Sequence, residues 1–246
     1  MKTSTRIIKA IAQTPIMKKI IDLFFDGIRQ KYNKKLDDER NRACANYGVE
    51  VLDKFDKCMK ENNFFYTLAY GSILGAIREH GFIKHDLDID VYMWIEDYSP
   101  KFVQELQKVG FTWLHSYTID NGKYGREDTF ECKGVTIDVF WLYPPINQYP
   151  YSCLFLRQDN LSKNQRLPQR LEMPIKKHSR LEKFETLQLP VPINAEEICE
   201  MRYGPNYMTP DPSWHWENEK NTVVEWHEMI PFTMHQLYPT LDKELG

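Results

Sequence analysis

Apolar residues recur at helical spacing at Ile16, Ile20, Leu23, Phe24 and Ile28, with Lys18, Asp22 and Arg29 off that face. Thr14 can cap this helix, and Pro15 suits a first turn whose N–H groups have no helical acceptor. The stripe fits either packing on the chain's own domain or an interfacial helix on an anionic membrane or a partner. A second helix is predicted over 39–61, where Val51, Leu52, Phe55, Cys58 and Met59 share a face. A short apolar strand follows at 64–69. Gly71-Ser72 breaks it, and 73–80 reads as a helical turn. Residues 86–94 alternate with the two-residue period of a strand. A helix near 100–109 comes next, then strands over 111–119, 126–133 and 135–142, with Gly134 marking a tight turn between the last two. Pro144, Pro145, Pro150, Pro168 and Pro174 interrupt any periodicity, so 144–180 is predicted to be mostly loop with short strands. Asn194 and Glu197 have capping-box spacing, and Gly204-Pro205 ends the helix they open. The tail beyond 206 predicts one short helix near 225–238.

Composition narrows the class. An apolar content of 42% with 13% aromatics excludes a disordered chain. The net charge of −3 argues against a nonspecific nucleic-acid binder, and no nucleic-acid partner is expected. Five cysteines, odd in number and without metal or redox spacing, read as reduced thiols of a cytoplasmic protein. Residues 1–15 lack the continuous apolar core of a secretory signal, and no run of about 18 apolar residues occurs anywhere. Charge is uneven, however. Residues 1–35 hold nine Lys/Arg and two Asp, a local +7, which leaves −10 for the rest of the chain. Such a leader expects an anionic partner, a membrane surface included.

The candidate chemistry concentrates in residues 70–94. Asp86, Asp88 and Asp90 are two apart, so a strand projects them from one face and Leu87, Ile89 and Val91 from the other. Neighbouring carboxylates so placed start about 7 Å apart. At an effective dielectric near 20 each pair repels by about 2 kcal/mol. Either a cation or open water must relieve that. Oxygen ligands facing a phosphate-friendly hard ion point to Mg2+ or Mn2+. Gly71-Ser72, after a strand and before a helical stretch, offers backbone N–H groups and a hydroxyl to phosphate. Asp138 lies in an apolar strand and is either a third ligand or base, or an Asp paired with an Arg or capping a loop. Arg78 can reach a phosphate or make a surface salt bridge. His80 and His85 flank the segment, and either fits an ordinary loop position equally well. Trp214 and Trp216 would share a strand face able to meet a quaternary ammonium, or would simply pack.

These residues resemble the LicD family, which includes bacterial phosphocholine transferases and the fukutin-related proteins. The resemblance rests on Gly71-Ser72-Ile73-Leu74-Gly75-Ala76-Ile77-Arg78, Gly81-Phe82-Ile83, Asp86-Leu87-Asp88-Ile89-Asp90, Ile137-Asp138-Val139-Phe140, and Tyr203-Gly204 with Tyr207 beyond. It extends from about 64 to about 210. The chain departs from the pattern at Lys84-His85, where the family often has Pro-Trp, and at Leu87, where many members have another Asp.

The resemblance implies an α/β (α+β) nucleotidyltransferase-like mixed sheet flanked by helices, with an N-terminal helical region over 1–62 and a catalytic domain over 63–246. It implies transfer of a substituted phosphate, phosphocholine or similar, from a CDP-linked donor to a hydroxyl of a glycan or lipid-linked glycan. Asp88, Asp90 and Asp138 would hold Mg2+ or Mn2+. Gly71 and Ser72 would bind phosphate and Arg78 offset its charge. Asp138 or Asp86 would serve as a further ligand or base. The alternatives are a metal-dependent nucleotidyltransferase, a nucleotide-sugar glycosyltransferase, and a noncatalytic binding module that keeps the fold.

Overall fold

The computed structural model describes residues 15–84, 86–156, 166–215, 221–224 and 234–237. The basic segment 1–14 with Thr14, His85, Trp216 and most of the expected 225–238 helix lie outside them.

One helix, α1 (Pro15–Glu61), stands where two were expected. The stretch 29–42 is rich in Arg, Lys, Gln, Glu and Leu, which favour helix, and it holds neither glycine nor proline. Gly27 alone opposes continuation by about 1 kcal/mol, too little to break a helix of this length. Its 47 residues give about 70 Å of rod at 1.5 Å per residue. Residues 34–40 are exposed all round, and burial begins at Cys44. From there Val51, Leu52, Phe55, Cys58 and Met59 enter the core along the expected face. Asn63, at φ 57°, ends the helix in left-handed backbone, and the Phe64 N–H returns to the Met59 carbonyl at 2.9 Å.

The main sheet runs, in spatial order, β1 (Thr67–Leu68), β2 (Asp88–Trp94), β5 (Val135–Leu142), β4 (Gly125–Cys132), β3 (Thr112–Ile119) and β11 (Met234–Leu237). Only β2 and β5 pair parallel, so the sheet is mixed and the class is α/β as expected. β11 replaces part of the helix expected near 225–238: it adds an antiparallel edge strand to β3. Lys133 and Gly134, both at positive φ, form the tight turn between β4 and β5. One sheet face carries Ile89, Val91, Met93, Phe130, Ile137, Val139 and Trp141. α1 and α3 (Pro100–Lys108) cover it through edge contacts such as Phe102 against Phe130 and Trp141. That face also buries Asp128, which accepts from Arg126 Nε and Trp141 Nε1, each at 2.7 Å.

The other face is covered differently. The short helix α2 (Tyr70–Leu74) runs into a π-helical turn over Gly75–Glu79, and His80 stops it at φ 54°. Gly75 is required there, because a Cβ would sit 2.5 Å from the Gly81 carbonyl oxygen. α4 (Ala195–Tyr203) and a three-stranded sheet of β10 (Val223–Val224), β7 (Leu167–Glu172) and β6 (Tyr151–Leu156) complete the cover. A hairpin of β8 (Ser179–Phe184) and β9 (Leu187–Pro192) lies beside them. Among the described residues of 144–180, the expected short strands are β6, β7 and the start of β8, with loop between them. Pro168 lies inside β7, where it is registered with Phe155 of β6. Asn194 does precede α4, but its side chain caps no backbone N–H. Its amide donates instead to Glu197 Oε2 at 2.7 Å and to the Pro174 carbonyl at 2.8 Å.

Candidate active site

Asp88 and Asp90 of β2, Thr136 and Asp138 of β5, and Glu127 and Thr129 of β4 meet on the face opposite the α1 core. Parallel register sets Asp90 beside Asp138 and Asp88 beside Thr136. The antiparallel β4–β5 hairpin sets Thr129 opposite Asp138 and Glu127 opposite Phe140. Thr129 Oγ1 donates to Asp138 Oδ1 at 2.5 Å. Adjacent strands stand about 4.8 Å apart. At that separation, and an effective dielectric near 20, Asp90 and Asp138 repel by about 3 kcal/mol when both are ionised.

The Gly71-Ser72 turn is sewn onto this row. Ser72 is buried, and its Oγ accepts from the Asp90 backbone N–H at 3.0 Å, while the Ala69 N–H donates to the Asp90 carbonyl at 2.9 Å. Ser72 is absent from the cavity wall, so its hydroxyl fixes the strand that carries the acids. Gly71 does line the cavity. A Cβ there would lie 2.9 Å from Asp86 Oδ2, so the missing side chain gives Asp86 its place. Asp86 is not on the strand, contrary to the alternation: β2 begins at Asp88. The Asp86 N–H closes a turn onto the Ile83 carbonyl at 2.9 Å, and this bends the chain before pairing starts. Its carboxylate nonetheless reaches the same cavity.

That cavity is about 1260 Å3 and is walled by Gly71, Arg78, Asp86, Asp88, Asp90 and Asp138 among others. Arg78 donates through Nε to Glu79 Oε1 at 2.8 Å and through Nη1 to the Tyr207 carbonyl at 3.2 Å, tying the rim at 207 to the turn. His80 is off the wall, with its ring Nδ1 3.1 Å from the Ala76 carbonyl. Burial pushes the Asp86 carboxyl up to about 7, aided by the charge of Asp88 and opposed by Arg78. Burial and Asp88 likewise push Asp138 up to about 7, against the Thr129 hydrogen bond and Arg40. Asp90 is raised well above the carboxylate range by burial and then by Asp88, Asp138 and Asp86. Burial raises Asp88 as well.

Three wall residues escaped the sequence reading. Glu127 is a further carboxylate, raised by burial and by Asp138, and one of its oxygens, Oε2, is buried without a hydrogen-bond partner among the described residues. The β4–β5 hairpin register could have found it, since the turn at Gly134 fixes which β4 residues share a face with Asp138. Arg202 of α4 is buried with its guanidinium 4.4 Å from the Tyr70 ring centre and 5.8 and 5.9 Å from those of Tyr203 and Trp214. Tyr70 itself sits at φ 38°, strained backbone for a bulky residue. Its hydroxyl, 2.7 Å from Ser152 Oγ, and its edge contacts with Tyr92 and Phe140 hold it there.

Carboxylate oxygens crowded on one face, each with raised proton affinity, are a donor set that fits a hard divalent cation. Among the described residues, no three His, Cys, Asp or Glu side chains already enclose a metal-sized site. Among those residues, too, no helix is long and apolar enough to cross a membrane.

The sequence profile of the LicD/FKTN/FKRP nucleotidyltransferase domain matches residues 63–194, which include the turn and the acidic strands. Ribitol-5-phosphate transferase FKTN of Mus musculus is 24% identical over 196 residues, covering 74% of this chain and 39% of that protein. Its Homo sapiens counterpart is 22% identical over 229 residues, covering 86% of this chain and 46% of its own length. Lipopolysaccharide cholinephosphotransferase LicD of Haemophilus influenzae is 40% identical over 60 residues, 24% of this chain and 21% of that protein. The chain thus spans less than half the length of these relatives. With the profile covering more than half of its residues, and the mixed sheet and its acidic row in place, the chain belongs to the LicD family of nucleotidyltransferase-like domains.

Proposed function

We propose that this chain transfers a substituted phosphate from a CDP-linked donor to a hydroxyl of a glycan or a lipid-linked glycan precursor. The observation that carries the reading is the convergence of Asp88, Asp90 and Asp138 with the Gly71 turn on one cavity, the turn being sewn to Asp90 through Ser72. The cavity's 1260 Å3 exceeds the usual 300–1,000 Å3 of a small-ligand pocket, which suits a nucleoside-diphosphate-linked donor together with part of an acceptor. The relatives' names support a phosphate-group transfer, since one carries ribitol phosphate and another choline phosphate.

Asp88, Asp90 and Asp138 would hold Mg2+ or Mn2+, which when bound neutralises diphosphate charge and polarises the phosphorus under attack. Gly71 leaves backbone close to the donor diphosphate. Arg78, Lys84 and Arg202 set positive charge on the wall of a site rich in carboxylates. Arg202 also bears on the head group. Its guanidinium already occupies the surround of Tyr70, Tyr203 and Trp214, the rings best placed to face a quaternary ammonium. That favours a neutral polyol phosphate over phosphocholine. The +7 of residues 1–35 supports a site of action near an anionic membrane bearing the acceptor.

The test is CMP release from a panel of CDP-linked polyols and CDP-choline, with divalent cation and with chelator, in wild type, Asp88→Asn and Asp90→Asn. The proposal expects metal-dependent release from a polyol donor that both variants lose. Release that survives chelator or both variants would refute it. Silence with every CDP donor, together with absence of metal and donor binding, would favour the noncatalytic module.

A further inference from the structure

The acidic row has two ends. Gly71 and Asp86 stand at the β2 end, where the Gly-Ser turn approaches. Glu127 stands at the other, on β4, two strands and about 10 Å from β2, with Asp138 on the strand between them. The wall beside Glu127 is different in kind: it is formed by Leu154, Phe155 and Leu156 of β6. Glu127 and Tyr117 are paired across β4 and β3, and the Tyr117 ring stacks on Phe155 at 5.5 Å. The side chain is held from behind, because a backbone hydrogen bond from Phe155 reaches its carboxyl. Yet Oε2 has no hydrogen-bond partner among the described residues. A buried carboxylate oxygen with unused acceptor capacity costs about 1–3 kcal/mol, and although Oε2 itself is closed to solvent, Glu127 is only half-buried and lines the cavity.

Phosphoryl transfer sets the direction from which an acceptor arrives. The attacking and leaving oxygens lie roughly in line through phosphorus. With the donor diphosphate at the Gly71 end and phosphorus over Asp90 and Asp138, the acceptor hydroxyl enters from the β4–β6 side. Glu127 is the carboxylate on that side that is not part of the Asp88–Asp90–Asp138 set.

We propose that Glu127 is the catalytic base that takes the proton from the attacking hydroxyl, an assignment that rests on the transferase reading above. The acceptor O–H bond breaks and its proton passes to the Glu127 carboxylate. The acceptor oxygen forms a new bond to the donor's distal phosphorus. The bond from that phosphorus to the bridging oxygen breaks, and CMP leaves with the electron pair. Glu127 then returns its proton to solvent. No oxidant or further reactant is needed.

The experiment measures CMP release by the full chain from CDP-linked ribitol and CDP-choline with Mn2+, with water or excess glycerol as the hydroxyl acceptor. Glu127→Gln keeps the shape and the Phe155 contact. It should bind the donor as wild type does while its release falls about 100-fold, the usual scale for loss of a positioned acid or base. Glu127→Ala should lose release similarly, and added formate should restore part of it by supplying a carboxylate in the vacated space. A merely structural role would not produce that rescue. Wild-type rates in Glu127→Gln would overturn the assignment. So would parallel loss of donor affinity, melting temperature and release that formate leaves unchanged. Silence of the wild type with every donor would instead overturn the transferase reading, and this assignment with it.

Discussion

Replacing Asp138 with Asn isolates the electrostatic strain of the acidic row. The substitution removes one negative charge but keeps an Oδ1 to accept from Thr129. Burial and Asp88 push the Asp138 carboxyl from 3.8 up to about 7. A carboxyl raised by folding binds more protons in the folded than in the unfolded chain between those two values. Its charged form therefore destabilises the fold, and stability falls as pH rises from about 4 through about 7. Three units at 1.36 kcal/mol each amount to roughly 4 kcal/mol at pH 8. Burying an amide whose N–H groups gain no partner takes back about 1–2 kcal/mol. At about 2–4 °C per kcal/mol for a chain of this size, metal-free Asp138→Asn should melt roughly 5–10 °C above wild type at pH 8. At pH 5, where most of the charge is already titrated away, the gap should close. The assay is thermal unfolding in chelator at both pH values. A variant that melts below wild type at pH 8, or that keeps one offset at both pH values, would refute the electrostatic account of the row.

Three further outcomes are expected. Ser72→Ala should leave the half-buried Asp90 N–H without its Ser72 acceptor and destabilise the chain by about 1–2 kcal/mol, read as a lower melting temperature together with weaker donor binding in calorimetry. Gly71→Ala places a Cβ 2.9 Å from Asp86 Oδ2, so Asp86 must move; donor affinity should fall with little change in melting temperature, and unchanged affinity would mean that the place of Asp86 does not matter. Deleting residues 1–35 should abolish salt-sensitive co-sedimentation with anionic liposomes, and unchanged co-sedimentation would end the membrane assignment.

The central acids were legible because β2 and β5 are amphipathic in the simplest way: Asp88 and Asp90 alternate with Ile89 and Val91, and Asp138 interrupts an apolar run. Asp86 continues the same alternation in sequence, and only the turn onto Ile83 takes it off the strand, a local backbone choice that side-chain periodicity does not record. Glu127 was hidden for the opposite reason. β4 is polar on both faces because Arg126 and Asp128 form a buried ion pair on the core side, so no alternation separates the site face from the other. The bounds of the strands after 150 were hidden by prolines, since Pro168 lies inside β7 and interrupts its pattern. Arg202 was unreadable because its burial depends on rings that come from α2, α4 and the segment at 214. The helices were easier to detect than to delimit: α1 continues across 29–42 because a charged stretch without proline propagates a helix as well as an amphipathic one does.

The most direct measurement of the central claim is 31P NMR of the purified chain with a CDP-linked polyol, Mg2+ and a hydroxyl acceptor. It reads which bond at phosphorus is broken. Loss of the paired diphosphate resonances, with CMP and a new phosphodiester appearing in equal amounts, is the predicted result. Release of CDP with transfer of the polyol alone, or of pyrophosphate from a nucleoside triphosphate supplied instead, would contradict it and assign the acidic row to a different transfer.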